Sequence, residues 1–298
     1  LILIDAHALL YRFFHALPPL GTPDGKPIQA IYGLAGTLIK ILGGLRPAFA
    51  AAAFDRPEAT FRKAAFADYK AHRPKAADEL VSQFAEARKT FAAFGIGVFE
   101  EPGYEADDVI GTLARHFGTE HGLSIDILSG DLDILQLVGQ NVAADIVKTG
   151  ISNIVRYTER DVVARYELPP AALPDYKGLV GDASDNIPGV AGIGPKTART
   201  LLKEWKTLEG IFDNLPLIKD PLSKKLAAAR DRAFLSKRLA TICATVPLAI
   251  PALSLLSTKP IGRETVKSYL AALGFQSLLG RLGGAATRGQ EIAEGSSL

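Results

Sequence analysis

The amino-acid sequence predicts an α/β fold in which a mainly parallel sheet, flanked by helices, is followed by a helical subdomain. Three apolar runs, at residues 1–4, 48–54 and 125–128, are typical of strands that are buried on both faces. Helical patterns separate these runs, and strands that alternate with helices indicate a parallel sheet. Beyond residue 168 the pattern is almost wholly helical to about residue 282.

The composition is that of a soluble globular protein. Of the 298 residues, 48% are hydrophobic, which is enough for a sizeable core. The net charge of +2 neither requires nor excludes a polyanionic partner. The single cysteine, Cys243, excludes an internal disulfide framework and fits a reducing compartment. No apolar run reaches the length of a membrane span, so we expect a cytoplasmic protein. We also expect a monomer.

The remaining elements follow in chain order. Helices are predicted around residues 9–17 and 28–42, and two further short strands at 142–147 and 154–157. The sequence Thr158-Glu159-Arg160-Asp161 resembles a capping box and predicts a helix that begins there.

The Leu168-Pro169-Pro170 sequence is the predicted domain boundary, because it interrupts both periodic patterns. We therefore predict an α/β unit over residues 1–167 and a helical unit over residues 168–282. The last stretch, 283–298, is rich in Gly, Ala and Ser and is expected to be a flexible tail or linker.

Carboxylates follow each of the three predicted buried strands. Asp5 ends the first strand, Asp55 ends the second, and Asp131 and Asp133 follow the third. Ligand sites in parallel sheets gather outside the carboxyl ends of the strands. We therefore expect these side chains to lie at one edge of the sheet.

Glu105, Asp107 and Asp108 stand immediately before an apolar helical pattern. Helix capping is the ordinary interpretation, because the free N–H groups and the macrodipole of a first turn favour negative charge. The helix could also reach the crevice at the strand ends. Residues 105 and 108 are three apart and are expected to share a face, with Asp107 pointing elsewhere unless the first turn is irregular.

A basic and aromatic segment separates Asp55 from Glu105. Cations that meet phosphates, and rings that stack on bases, are what a groove for single-stranded nucleic acid requires. A solvated amphipathic helix with its aromatic residues in the core has the same composition, and the segment alone leaves both interpretations open. Its basic residues are Arg56, Arg62, Lys63, Lys70, Arg73 and Lys75, and its aromatic residues are Phe61, Phe66 and Tyr69.

A second acidic motif contains Asp182 and Asp185, and a glycine-rich motif follows at residues 189–198. Glycines allow a backbone to approach a ligand closely, Pro195 suits the first position of a helix, and the N–H groups at such a helix start bind phosphate oxygens. An ordinary Gly/Pro turn between two helices is the alternative. Because the motif carries no base-reading groups, we expect it to bind a nucleic-acid backbone whatever its sequence.

The acids as a set predict a metal site. They would repel one another in one crevice unless cations neutralised them, and all-oxygen ligands suit Mg²⁺ or Mn²⁺. Two such ions can promote phosphodiester hydrolysis. No Gly-x-Ser-x-Gly elbow or Walker-type loop is present, and a lone His such as His7 is more often a satisfied core or surface group. The candidate ligands are Asp5, Asp55, Glu105, Asp107, Asp108, Asp131, Asp133, Asp182 and Asp185.

Together these motifs resemble the 5′-nuclease (flap endonuclease) family, and most closely the N-terminal 5′–3′ exonuclease domain of bacterial DNA polymerase I. The likeness runs in the same order from residue 1 to about residue 282. The matching stretches are Leu3-Ile4-Asp5 with Tyr11-Arg12, Ala53-Phe54-Asp55, Phe61-Arg62, Tyr69-Lys70-Ala71-His72-Arg73-Pro74, Glu105-Ala106-Asp107-Asp108, Gly130-Asp131-Leu132-Asp133, and Val180 through Ala198.

The resemblance implies a PIN-like nuclease core and a helical DNA-binding subdomain with a helix-hairpin-helix-type motif. The implied enzyme removes 5′ flaps and RNA primer ends from branched or nicked duplex DNA in replication and repair, in the bacterial cytoplasm. It implies two metal ions, the first served by Asp5, Asp55, Glu105 and Asp107 and the second by Asp131, Asp133, Asp182 and Asp185, with Asp108 alongside.

The resemblance also implies how DNA is held. Residues 66–84 would form a helical arch for a single strand, and residues 189–198 would hold downstream duplex and bind K⁺ through backbone carbonyls. A DNA polymerase, in the same or another chain, is the implied partner. The implied phosphate-steering residues are Arg12, Arg62, Lys70 and Arg73, and the implied DNA-binding residues are Tyr69, Gly189, Gly192, Gly194, Lys196 and Thr197.

Two other functions remain open from the sequence. A PIN-like ribonuclease would use the same sheet with fewer acids, and the 189–198 motif argues against it. A catalytically silent module that binds branched DNA is disfavoured by the acid set, because a scaffold has no use for so much like charge in one place. The sequence also leaves open whether the chain is an excised domain or a free-standing nuclease.

Overall fold

The α/β prediction is confirmed by the computed structural model, which describes residues 1–149, 153–260 and 263–282. The described residues form a six-stranded sheet in the order β3-β2-β1-β4-β5-β6. Neighbouring strands are parallel except for β5 and β6, which are antiparallel. The strands are β1 Ile2–Asp5, β2 Ala50–Ala53, β3 Gly97–Phe99, β4 Ile125–Ser129, β5 Val142–Thr149 and β6 Asn153–Tyr157.

Helices cover both faces of this sheet, which explains why its central strands are apolar throughout. Ile2 and Ile4 of β1 pack into one buried cluster, whereas Leu3 packs into the other, because successive side chains point to opposite faces. The helices of the α/β part are α1 Ala6–Ala16, α2 Gln29–Gly44, α3 Phe61–Ala65, α4 Asp78–Phe94, α5 Ala106–Ala114 and α6 Glu159–Tyr166.

The edge strand β3 was not predicted, because its three residues are too short to show a periodic pattern. The predicted capping box at the start of α6 is present. The Thr158 backbone N–H donates to Asp161 Oδ2 at 2.8 Å, and the Thr158 side chain accepts from the N–H of the third helical residue.

The chain beyond residue 168 divides into two parts. Helices α7 to α11 surround a separate apolar cluster that includes Leu179, Leu202 and Phe212. They are α7 Leu173–Val180, α8 Pro195–Trp205, α9 Leu208–Asp213, α10 Leu222–Ala228 and α11 Arg230–Ala240.

The predicted helical unit 168–282 therefore needs correction at its C-terminal end. Residues 241–252 are not helical, and Pro247 and Pro251 interrupt any helix there. Helix α12, Glu264–Ala272, then packs against α4 through Val266 and Leu270, which are buried in the core of the α/β part. The predicted tail 283–298 lies outside the described residues.

The predicted arch, residues 66–84, is not one continuous helix. Turns run from residue 67 to 72, residues 73–77 have no regular secondary structure, and α4 begins only at Asp78. The turn is attached to the acidic motif of the helical part, since the Lys70 N–H donates to the Asp185 carbonyl at 2.9 Å. Within the described ranges, no helix is both long and apolar enough to cross a membrane.

Candidate active site

The register of the central strands places Asp5 beside Ser129. Ile4 lies opposite Leu128, so the next residues, Asp5 and Ser129, are neighbours at the carboxyl edge. Ser129 Oγ donates to Asp5 Oδ2 at 2.6 Å, and the N–H of Ala8 donates to Asp5 Oδ1 at 3.0 Å, which makes Asp5 the N-cap of α1. Burial raises the pKa of Asp5 to about 7, and nearby carboxylates add to the rise.

Asp55 links the end of β2 to the start of α5. Its Oδ1 accepts a 2.7 Å hydrogen bond from the N–H of Ala106, which is an otherwise free amide of the first helical turn. Its Oδ2 lies 3.6 Å from His7 Nε2. Burial lowers the pKa of His7, although Asp55 opposes that shift. Burial therefore favours the neutral form of the His7 imidazole that makes this contact.

The first turn of α5 places Asp107, rather than Asp108, toward the strand-end acids. The surrounding protein desolvates the Asp107 carboxylate, and Asp5, Asp131 and Asp133 add like charge, so its pKa is raised well above the usual value. Glu105 is the N-cap of the helix and also lines the cleft. The expectation that Asp107 points elsewhere is therefore wrong.

Asp108 is turned away from the cleft and fully buried. Its Oδ1 and Oδ2 each accept a 2.7 Å hydrogen bond from Arg62, and they also accept from the backbone N–H groups of Cys243 and Glu105. With its oxygens occupied in this way, Asp108 does not fit the predicted role of a metal ligand. It closes the capping box of α5 and joins that helix to the chain at residue 243.

The prediction that Arg62 steers a phosphate is also wrong. Its side chain is 3% exposed, and its guanidinium donates to Asp108, Glu105 and the backbone carbonyls of Leu239 and Thr241. A guanidinium has five N–H donors, and these contacts use all of them. Arg62 therefore fastens α3 to α5 and to the end of α11.

Asp131 and Asp133 follow β4 in a tight turn. The Asp131 N–H donates to Ser129 Oγ at 3.0 Å, and the Asp133 N–H donates to Asp131 Oδ1 at 3.1 Å. Burial and Asp131 raise the pKa of Asp133 to about 6, in spite of the Lys177 ammonium. These contacts place Asp131 and Asp133, which follow β4, beside Asp5 at the end of β1.

Asp182 meets Asp133 through a shared cation, Lys177. The ammonium donates to Asp182 Oδ2 at 2.6 Å and also contacts Asp133 Oδ1. Burial alone would lower the pKa of Lys177, but the two carboxylates outweigh it and the pKa is raised. Ser184 donates twice to Asp182 Oδ1, through its N–H at 2.8 Å and its hydroxyl at 2.6 Å.

Asp185 is held by the turn that contains Lys70 and Arg73. Arg73 Nη2 pairs with Asp185 Oδ1, and Lys70 Nζ lies 3.7 Å from Asp185 Oδ2 and 3.0 Å from Glu105 Oε2. The Tyr69 hydroxyl donates to Glu105 and Asp185 at 3.1 Å each. Because the Tyr69 ring is only 4% exposed, it does not offer a stacking face, which corrects its predicted role in DNA binding.

Five of the nine candidate acids line one cleft of about 430 Å³ at the carboxyl edge of the sheet, whereas Asp108, Asp133, Asp182 and Asp185 do not line it. Arg12 crosses its wall, where Nη2 donates to the Gly130 carbonyl at 2.7 Å and Nη1 to the Lys148 carbonyl at 2.6 Å. The ionisable and aromatic residues that line the cleft are Asp5, His7, Tyr11, Arg12, His15, Asp55, Lys70, Arg73, Glu105, Asp107 and Asp131.

The glycine-rich motif forms the predicted helix start. Gly194 is the N-cap of α8 and Pro195 is its first residue. Gly189 and Gly192 adopt φ angles of +57° and +73°, which other residues rarely adopt. Lys196 is exposed, so its charge and the free amides of this first turn face solvent.

Two residues that organise the acids were not predicted from the sequence, namely Ser129 and Lys177. Ser129 bridges Asp5 and Asp131, and it directly precedes the Gly130-Asp131 motif, so its position was a usable signal. Lys177 pairs with Asp133 and Asp182, but it lies 44 residues from Asp133 in sequence and carries no local signal for that contact.

The side chains fit divalent metal ions. Asp5, Asp107 and Asp131 form no salt bridge with any cation among the described residues, yet they share one cleft. Burial, with a further contribution from the neighbouring carboxylates, raises the pKa values of Asp5 and Asp107. Oxygen ligands of this kind suit a hard cation such as Mg²⁺.

Comparison with solved structures identifies the class of fold. Zinc-bound T5 5′-exonuclease superposes with a TM-score of 0.67 at 21% identity, over 96% of this chain and 98% of that chain. The flap endonuclease of bacteriophage T5, in a pseudo-enzyme–product complex with DNA and metal ions, gives 0.66 at 20% identity, over 98% of both chains. The fold is therefore that of a 5′ nuclease.

Sequence comparison identifies the family. Residues 1–167 match the "5′–3′ exonuclease, N-terminal resolvase-like domain" and residues 168–263 match the "5′–3′ exonuclease, C-terminal SAM fold". The chain belongs to the 5′–3′ exonuclease family of metal-dependent nucleases. It is 44% identical over 285 residues to DNA polymerase I of Caldicellulosiruptor bescii, which covers 95% of this chain and 33% of that protein. The chain thus spans about a third of the length of this relative.

Proposed function

We propose that this chain hydrolyses phosphodiester bonds of DNA at 5′ ends and 5′ flaps with the help of two divalent metal ions. The observation that carries the proposal is the cleft in which Asp5, Asp107 and Asp131 lie together, with no cation of the described part of the chain paired to them. Bound Mg²⁺ or Mn²⁺ would activate a water molecule and stabilise the charge that develops on the phosphate oxygens.

The chain offers two sets of ligands for these ions. The first set, from β1, the end of β2 and the start of α5, consists of Asp5, Asp55, Glu105 and Asp107. The second set, from the β4 turn and the acidic motif, consists of Asp131, Asp133, Asp182 and Asp185. In the second set Lys177 already contacts Asp133 and Asp182, so an ion there requires the ammonium to move aside.

The cations of residues 66–73 suit an incoming phosphate. Lys70 is 25% exposed and Arg73 is 47% exposed, and both line the cleft beside the acids. Burial alone would lower the pKa of Lys70, but Glu105 and Asp185 keep it raised and the amine charged. Arg12, anchored on two backbone carbonyls, adds a fixed charge to the wall. These three residues would orient the scissile phosphate over the carboxylates.

Duplex DNA would be held through its backbone at α8. The amides after Gly194, with Lys196 and Thr197, suit phosphate oxygens. The K⁺ that the family resemblance implies at this turn would compete with Lys225, whose Nζ donates to the Gly192 carbonyl at 3.4 Å. No contact of this kind reads bases, so binding would depend on the shape of the DNA. We further propose that the chain works with a DNA polymerase, as the family resemblance implies.

The test is cleavage of a labelled double-flap DNA with and without Mg²⁺, using the full chain and its Asp131→Ala variant. We expect Mg²⁺-dependent release of the flap by the wild-type chain and loss of cleavage, with DNA binding retained, in the variant. Asp126→Ala is the matched control, because Asp126 lies on β4, the strand that Asp131 follows, and pairs with Arg156 away from the cleft.

Other outcomes would favour other functions. Cleavage that persists in Asp131→Ala would contradict the site assignment. Preference for single-stranded RNA over flap DNA would favour a PIN-like ribonuclease. Binding of branched DNA without Mg²⁺-stimulated turnover would favour a silent binding module.

A further inference from the structure

A second group of metal-binding side chains lies at the other end of the helix that carries Asp107. His116, Glu120 and His121 each offer one ligand atom, and these atoms all lie within 4.8 Å of one another. Their side chains are half-buried or exposed, so an ion in solution can reach them. None of them lines the acidic cleft.

The backbone explains why these three residues converge. Residues Arg115–Glu120 continue α5 as a π-helical segment. In an α-helix residues five apart, such as His116 and His121, are separated by about 140° around the axis. The wider π turn, with its i→i+5 hydrogen bonds, brings the residues four and five positions onward to either side of the first. The unusual helix therefore places an acid and two imidazoles on one face.

Direct contacts within the group support this arrangement. His116 Nδ1 lies 3.0 Å from Glu120 Oε2, and the His116 and His121 ring centroids are 4.6 Å apart. Phe117 is buried and packs edge-on against the His116 ring at 4.8 Å, which supports the imidazole. Arg115 Nε lies 3.5 Å from Glu120 Oε1 and is the cation that faces the group.

We propose that His116, Glu120 and His121 bind a divalent transition-metal ion of the Zn²⁺ class. Imidazole nitrogen suits Zn²⁺, Co²⁺ and Ni²⁺, whereas Mg²⁺ prefers oxygen, so the ligand type distinguishes this site from the acidic cleft. Three protein ligands leave a fourth tetrahedral position for water. Metal–ligand distances of about 2.0–2.2 Å require the side chains to close in slightly, which exposed rotamers allow.

The position at a helix end adds to the attraction. The π segment ends at Glu120, where the partial negative charge of the last carbonyls favours a cation. The nine residues of α5 lie between this site and the acids at the start of the helix, a distance of about 13 Å along the helix axis. Occupancy should therefore stabilise the C-terminal part of this helix without contributing to hydrolysis.

Visible absorption of Co²⁺ tests the proposal on the full chain. Tetrahedral Co²⁺ with nitrogen ligands absorbs far more strongly than octahedral Co²⁺ among oxygens, so the two sites give different signals in one titration. We expect a strong band at one equivalent of Co²⁺ in excess Mg²⁺, and its loss on addition of one equivalent of Zn²⁺. Absence of the strong band would overturn the proposal.

Conservative variants assign the ligands. His116→Gln and His121→Gln should each weaken Co²⁺ binding at least about tenfold, and Glu120→Gln should weaken it less. His72→Gln removes another exposed imidazole and is the matched control. A strong band that survives in both the His116→Gln and the His121→Gln variant would overturn the assignment, as would its loss in His72→Gln. Mg²⁺-dependent flap cleavage by the His116→Gln and His121→Gln variants reports that they are folded, and it also separates this proposal from the proposed function.

Discussion

Six of the nine candidate ligands form two groups that are neutralised differently, a paired half and an unpaired half. Asp133, Asp182 and Asp185 contact cations of the chain itself, namely Lys177, Lys70 and Arg73. Asp5, Asp107 and Asp131 form no salt bridge among the described residues. Both halves occupy the same edge of the sheet, so the difference lies in the cations that each half can reach.

This contrast separates two uses of a carboxylate that the protein shields from water. The fully buried Asp108, with its bidentate Arg62 partner, is paired and hydrogen-bonded, which is how proteins keep a buried charge for structural purposes. Asp107, the next residue in the chain, has a strongly raised pKa and no such partner. Carboxylates that are held close together although they repel one another indicate a site that is completed by a ligand.

The first prediction concerns the unpaired half, from which the charge of one carboxylate is removed. Asp107→Asn should lower flap cleavage at saturating Mg²⁺ by at least about a hundredfold, because an amide cannot supply the negative charge that holds a cation. The fold should not suffer, since the substitution removes repulsion from Asp5 and Asp131. Single-turnover cleavage and DNA binding, measured side by side, check this.

Asp126→Asn is the control for the same change at a position outside the cleft. It should cleave like the wild type, because Asp126 faces Arg156 and not the cleft. Equal losses of cleavage in the two variants would mean that the Asp107 result reflects general damage.

The second prediction concerns Asp108, the buried structural carboxylate, when its partner Arg62 is removed. Arg62→Ala leaves Asp108 buried without its cation, and removal of one member of a buried pair costs about 3–5 kcal/mol of unfolding free energy. Urea unfolding measures this loss. Lys63→Ala, the exposed neighbour on α3, should change stability by less than about 0.5 kcal/mol.

The alternative outcome is equally informative. An Arg62→Ala variant with wild-type stability and impaired cleavage would restore the sequence prediction that Arg62 steers the phosphate. The buried position of the guanidinium argues against that result.

The third prediction concerns pH in the absence of metal. Asp5 and Asp133 have folded-state pKa values raised to about 7 and about 6, against about 3.9 for an unfolded aspartate. The folded state therefore binds more protons between these values, and stability that is present below about pH 4 is lost as pH rises toward 7. Asp107, with a raised pKa, contributes in the same direction.

Thermal unfolding in EDTA at pH 5 and pH 8 measures this effect. Asp107→Asn should melt above the wild type at pH 8, by about 2–4 °C for each kcal/mol of repulsion removed, and the gap should shrink at pH 5. The exposed Asp24→Asn serves as control. A gap that is independent of pH would contradict the sign of the shift.

Much of the fold could be predicted because its signals are local. The apolar runs that became β1, β2 and β4 lie between helices, so they required parallel pairing, and the acids at their ends had to meet at one edge. The role of each acid in α5 depended on the direction in which its side chain points around the helix axis. The first turn of α5 turned Asp107 toward the cleft and Asp108 into the core, and spacing alone could not distinguish these directions.

Long-range partners explain the remaining differences. Arg62 contacts backbone carbonyls 177 and 179 residues away, at Leu239 and Thr241, and no local pattern predicts such a contact. For the aromatic residues of the basic and aromatic segment the sequence left both stacking on bases and packing into the core open, and the family resemblance implied DNA binding by Tyr69. Its burial against the acidic motif depends on a tertiary contact with Asp185.

The last prediction removes the cation from the paired half. Lys177 Nζ contacts both Asp133 and Asp182, so it occupies the position that a second metal ion would need. Lys177→Met keeps much of the apolar stem and removes the charge, which makes the site more negative. We expect half-maximal cleavage at a several-fold lower Mg²⁺ concentration, with weaker metal-free stability because the carboxylates now repel each other.

Mg²⁺ titration of flap cleavage measures this shift, with Lys203→Met as the control because its exposed partner, Glu167, lies outside the cleft. We expect this effect to be the smallest of the four predicted effects, because the Lys177 side chain can move away when an ion binds. The substitution then removes only the competition between the ammonium and the ion. An unchanged Mg²⁺ requirement would show that the ammonium does not compete with the ion. In that case Lys177 would position Asp133 and Asp182, and both halves of the acid set would depend on metal to a similar degree.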